Sequence, residues 1–225
     1  MTMLRCALTL ALAGLPTAGL AAQTRPLSLP LTSGTGLELS NVRAEPATWK
    51  GKKGLHVVED RRTQGPALAV ITGSEFTEGT IELMVSGAPA PGAPEGSRGF
   101  IGVAFHVQDD RASHKAFYLR PTNGRADDQL RRNHATQYVN HPSWPWQRLR
   151  QEEPGVYESY VDLEPGVWTR MKVVVAATQA KLYVHGTDQP VLIVNDLKPG
   201  PKGGKVALWI GQGTDAWFAD LTIRP

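Results

Sequence analysis

Apolar and polar residues alternate with a period of two along most of this chain, the pattern of strands that bury one face and wet the other. The alternation runs through residues 37–43, 54–59 and 76–86; 67–71 is a short, wholly apolar run of the buried type, and the strongly apolar strand 100–107 has 115–120 as its expected hairpin partner. Further strands are read over 157–163, 168–176, 181–185, 191–194, 205–210 and 217–223. Turn-forming clusters rich in Gly and Pro separate the later runs, at 164–166, 185–188 and 198–204, and 87–99 reads as a Pro/Gly connection between strands. No stretch carries a sustained helical period. Many short strands at regular spacing predict an all-β sandwich.

The first 22 residues stand outside that pattern. Arg5 is followed by an apolar run from Cys6, too short to span a bilayer, and then by the small residues Gly19, Ala21 and Ala22. That is the layout of a cleavable signal peptide. It predicts a mature domain over 23–225 and a periplasmic or secreted location. Cys6 is the only cysteine and would leave with the signal, so thiol nucleophiles, thiolate zinc sites and disulfides are excluded from the mature protein. The formal net charge is +3 and no Lys/Arg tract is present. Neither nucleic acid nor, after signal cleavage, a membrane is therefore an expected partner.

The order of motifs in the C-terminal third is specific. Trp168-Thr-Arg-Met-Lys-Val-Val-Val is followed by Ala180-Lys-Leu-Tyr-Val-His-Gly, Gly204-Lys-Val-Ala-Leu-Trp-Ile-Gly and Ala216-Trp-Phe-Ala-Asp-Leu-Thr-Ile. This series, with Gly99-Phe-Ile-Gly-Val-Ala-Phe before it, resembles the concanavalin A-like lectin/glucanase superfamily, above all its laminin-G-like branch and the bacterial domains described as 3-keto-disaccharide hydrolases. The resemblance covers 30–225 and implies a single jelly-roll sandwich of two curved antiparallel sheets. It implies fold rather than activity, because that superfamily holds lectins, hydrolases, lyases and adhesion domains.

Residues 120–156 show neither strand nor helix period, yet hold Tyr138, Trp144 and Trp146. Disordered segments lack such aromatics, so an ordered loop across one face is expected. Its composition suits a sugar: aromatic faces stack on C–H faces, and planar polar groups meet the hydroxyls. The candidate substrate-binding residues are Arg120, Asn123, Arg131, Arg132, Asn133, Gln137, Tyr138, His141, Trp144 and Trp146, with Tyr160 just beyond. No cofactor is required, although the Asp127-Asp128 pair offers oxygen ligands of the kind Ca²⁺ takes. Strand alternation over 157–162 would set Glu158, Tyr160 and Asp162 on one face. Glu158 is the first acid/base candidate, with His134 or Asp128 as partner. Two functions follow as expectations: cleavage of a glycosidic bond by hydrolysis or elimination, or lectin-like binding without catalysis, with an adhesion or structural role behind them. Serine-hydrolase, P-loop and dinucleotide signatures are all missing from the sequence.

Overall fold

The computed structural model describes residues 26–60 and 65–225, so the signal-peptide segment lies outside the described residues. Strand makes up 49% of the structure and helix 8%, which places it in the all-β class. In chain order the strands are β1 (Leu27–Leu29), β2 (Leu37–Ser40), β3 (Val42–Trp49), β4 (Lys52–Glu59), β5 (Ala67–Ile71), β6 (Gly79–Pro89), β7 (Ile101–Val107) and β8 (His114–Leu119). There follow β9 (Thr136–His141), β10 (Glu158–Ser159), β11 (Thr169–Ala176), β12 (Gln179–Val184), β13 (Leu192–Val194), β14 (Lys205–Ile210) and β15 (Thr214–Arg224). They form two antiparallel sheets. One runs β13-β12-β11-β6-β15-β4-β3 with β1 beside β15, and the other β10-β9-β8-β7-β14-β5-β2.

Period-two runs become strands because one face of each meets the other sheet. In β11, Thr169, Met171, Val173 and Val175 are buried while Arg170 and Ala176 face solvent. A Cβ placed on Gly87 of β6 would come within 2.8 Å of Ile101 Cγ2, so Ile101 points across the sandwich. By alternation Val103 and Phe105 also point inward. The cross-strand neighbours of this inward row form an aromatic chain, Phe105–Phe117–Tyr138–Tyr157, with centroids 6.2, 5.2 and 5.7 Å apart. The outward row has Gly102 opposite Tyr118, Tyr118 opposite Gln137, and Gln137 opposite Glu158. A side chain on Gly102 would strike the Phe117 carbonyl oxygen at 2.0 Å, which accounts for the glycine in the Gly99-Phe-Ile-Gly motif.

Two expectations are corrected here. Residues 120–156 contain regular structure: strand β9 and two short helices, α1 (Gln129–Asn133) and α2 (Trp146–Glu152). The run 157–163 is a strand only at Glu158–Ser159, because β9 offers pairing partners there alone. The alternation that would align Tyr160 and Asp162 with Glu158 is therefore lost.

Two buried histidines give the fold a pH dependence. Burial holds His106 down to a pKa of about 4, and burial together with the charge of His141 does the same for His114. The unfolded chain protonates both near 6.5, while the folded chain resists protonation until about 4. Stability is thus fully present above pH 6.5 and is lost as pH falls toward 4. Urea midpoints measured across that window should fall steadily, and a flat profile would show that neither histidine stays neutral in the fold.

Candidate functional site

The outward row ends in a buried polar network. Glu158 on β10 has a side chain 3% exposed. Its Oε1 accepts from Arg120 Nη1 at 3.0 Å, and its Oε2 accepts from Arg150 Nε at 2.9 Å. Arg150 Nη2 also donates to Oε1. Arg120, just past the end of β8, donates further to His134 O (2.9 Å), Tyr118 Oη (3.2 Å) and Gln137 Oε1 (2.8 Å). Gln137 turns its amide nitrogen to the carbonyls of Tyr138 and Tyr157, so the acceptor that meets Arg120 is held in place. Burial alone would raise the Glu158 pKa; the hydrogen bond from Arg150 and the charges of Arg120 and Arg150 outweigh it and hold the carboxyl below its ordinary range. Glu158 is ionised at neutral pH.

In front of this network lies a pocket of about 250 Å³ lined by Arg98, Phe100, Arg120, Asn123, Arg131, His134, Trp146 and Arg150, with Gly96 at its edge. Wider clefts open elsewhere, one of about 670 Å³ beside Arg43 and Thr214, but they gather none of the residues to which the sequence pointed. The short helix α1 shapes one wall. Asp128 caps it, its carboxylate accepting from the Arg131 backbone at 2.6 Å. This cap sets Arg131 and, one residue past the helix, His134 on the pocket. Helix α2 carries Trp146 and Arg150 one turn apart, and the Arg150 guanidinium lies 4.6 Å from the indole centroid. Trp146 remains 37% exposed.

His134 Nε2 stands 3.5 Å from Glu158 Oε2. Burial lowers its pKa against the opposing pull of Glu158, and the charges of Arg150 and Arg120 lower it further, so the imidazole is neutral at pH 7. Asn123 is buried and donates to His134 O at 3.1 Å, while its Oδ1 has no protein donor among the described residues.

Five of the residues singled out from sequence line the pocket: Arg120, Asn123, Arg131, His134 and Trp146. Glu158 and Gln137 lie behind them. The others fall elsewhere. Tyr138 is fully buried in the inward aromatic row, because its position on β9 faces the core. Trp144 is covered by Arg148 and Lys198 and packs on the core. His141 closes β9 beside His114, ring centroids 5.1 Å apart, about 13 Å along the strand from Gln137. Arg132 donates to Tyr160 Oη at 3.0 Å on the surface, and Asn133 accepts from Gln129. Asp162, the other acid placed by alternation beside Glu158, is held by Arg125 instead. With Asp128 committed to its cap, Glu158 has no free carboxylate partner lining the pocket among the described residues. Nor do these residues contain any group of three or more His, Cys, Asp or Glu placed to hold a metal.

Sequence reasoning passed over Arg98 and Arg150. Arg98 sits in the segment read as a plain connection, which in fact builds one wall. Arg150 was discoverable only from its i,i+4 spacing to Trp146, a signal that needs the helix to be recognised first.

No protein-family model and no curated protein sequence matches the chain. Among solved structures it is similar to the carbohydrate binding module CBM66 from Bacillus subtilis, with 11% identity, 83% of this chain and 98% of that one covered, and a TM-score of 0.54. It is also similar to a Bacillus subtilis protein with a galectin-like fold (13% identity, 88% and 94% covered, TM-score 0.55). A third likeness is to a glycosyl hydrolase candidate from Parabacteroides distasonis (13% identity, 88% and 98% covered, TM-score 0.52). At these identities the likeness is one of fold, a galectin-like β-sandwich.

Proposed function

We propose that this chain is an exported carbohydrate-binding protein whose sugar site is the pocket walled by Trp146, His134, Arg131 and Asn123. The observation that carries this reading is a partly exposed indole at the rim of a pocket whose polar floor is already held in place by Glu158 and Gln137. An indole supplies an apolar face for a sugar ring, and prearranged donors meet hydroxyls without an ordering penalty. The volume lies below the roughly 300–1,000 Å³ of pockets that enclose drug-sized ligands, which favours one sugar unit, such as a chain end or side group. Fold neighbours that include a carbohydrate binding module and a glycosyl hydrolase candidate support the same ligand class.

Binding without cleavage fits the geometry better than two-carboxylate hydrolysis. Glu158 is locked as an anion by two guanidiniums, whereas a general acid must hold a proton. One observation favours a second reading as an enzyme: His134 presents a neutral imidazole to the pocket with a carboxylate behind it, the pairing general-base chemistry uses. In that case His134→Gln should abolish turnover and leave binding within a few-fold.

The test is a glycan array with wild type and Trp146→Ala, followed by incubation of the bound glycans and mass spectrometry. Trp146→Ala should weaken binding by about 1–3 kcal/mol, the scale of a lost apolar aromatic contact. Unchanged glycan binding by this variant would remove the pocket from consideration as the sugar site, and intact glycans after incubation would exclude cleavage of them.

A further inference from the structure

Charge in this pocket is one-sided. Arg98, Arg120, Arg131 and Arg150 all line it, and the carboxylate behind them is Glu158 alone. Four guanidiniums against one carboxylate leave an excess of three formal positive charges, as large as the formal net charge of the whole chain, +3. Two of the four have no anionic partner among the described residues. Arg98 directs Nη1 to the backbone carbonyls of Glu95 (2.6 Å) and Ser97 (2.9 Å), which are neutral acceptors. Arg131 makes no ion pair among the described residues. Asp128, at the N-cap of α1, is exposed and engaged with the Arg131 backbone nitrogen.

We infer that the pocket selects saccharides bearing an anionic group, a uronate carboxylate or a sulfate ester, over neutral ones; the inference rests on the carbohydrate reading above. A neutral sugar entering this space would strip water from cations and return only hydrogen bonds to uncharged oxygens, with no neutralisation of charge. A carboxylate or sulfate returns charge-assisted, bidentate ones, for which the planar guanidinium is shaped. Trp146 then holds the ring, and Arg131 and Arg98 hold the acidic substituent. Arg120 and Arg150 keep their partner Glu158 and contribute field rather than direct pairing. Because Arg131 is exposed and Arg98 half-buried, both reach the ligand without breaking the network beneath.

The experiment is calorimetric titration of the full-length mature protein with three probes of matched length: an oligogalacturonate, a sulfated galacto-oligosaccharide and a neutral galacto-oligosaccharide. At least one acidic probe should bind about tenfold tighter than the neutral one, the value of a single charge-assisted contact. Comparing the two acidic arms identifies the group. Raising salt to about 0.5 M, where screening is short-ranged, should weaken the acidic probe and not the neutral one. Arg131→Gln should weaken the acidic probe about tenfold more than the neutral one. Equal or tighter binding of the neutral probe, insensitive to salt, overturns the inference while the carbohydrate reading stands. Failure of all three probes, and of a broad glycan array, overturns both.

Discussion

Glu158→Ala is expected to destabilise the fold by about 3–5 kcal/mol, because it removes one partner of a buried ion pair and strands the other. Arg120 is 5% exposed, and its guanidinium sits among Tyr118, Gln137 and the His134 carbonyl. Those acceptors satisfy hydrogen bonds but do not neutralise charge. Arg150 is a third exposed and can swing to water, so the loss is concentrated on Arg120. Glu158→Gln keeps the shape and one acceptor, and should recover part of the loss. The double variant Arg120→Met with Glu158→Gln should lose less than the two single losses added together, since neither charge is then left alone. Urea unfolding with an unchanged slope measures each of these as a shift in midpoint. A loss under about 1 kcal/mol for Glu158→Ala would mean that Arg120 readily leaves its buried seat, and the description of a preset floor would fail with it.

Leu149→Ala should disarm the pocket from the outside. Helix α2 has seven residues and one buried side chain, Leu149. A helix so short has no independent stability and forms because that side chain docks it. Truncating a buried leucine costs about 2–5 kcal/mol; here the loss is bounded by the local unfolding of α2, which puts it near the lower end. The functional effect should be larger than that of Trp146→Ala alone. Trp146 and Arg150 leave together, and Glu158 loses half of its neutralising charge. Glycan affinity should fall by well over tenfold, with faster hydrogen exchange at α2 amides and little change in β7, β8 and β14. Full affinity in this variant would show that the contact of Arg148 with Trp144 or the ion pair of Arg150 with Glu158 holds α2 without Leu149.

How much was legible from sequence follows the range of the interactions. The strands were readable wherever burial on one face imposes alternation, as in β11. They were also readable where a close approach demands glycine, as at Gly102. The helix α2 was not: seven residues with a single buried apolar position cannot display a 3.6-residue period. Strand β9 was hidden because Gln137 and Asn140 face buried polar networks, where they hydrogen-bond with Arg120 and the Lys198 carbonyl, instead of solvent or an apolar core. The segment 157–163 failed in the opposite way. Its residues alternate, but a strand needs a neighbour, and β9 supplies one only to Glu158 and Ser159.

The same division separates the composition of the site from its character. Aromatic, Arg, Asn and His residues crowded into 120–156 by themselves singled out the segment that supplies most of the proposed site, since side-chain chemistry is a property of the residue. The all-β sandwich was determined in the same way, since alternation is a property of neighbours in the chain. The pairing of Glu158 with two arginines was decided only by tertiary structure, as was the diversion of Asp162 to Arg125 and of Asp128 to a helix cap. So was the gathering of Arg98, Arg120, Arg131 and Arg150 around one cavity in a chain that has no basic tract. Charge acts through space and burial, and neither distance nor burial exists along a sequence until the sheets pack and set which side chains face each other.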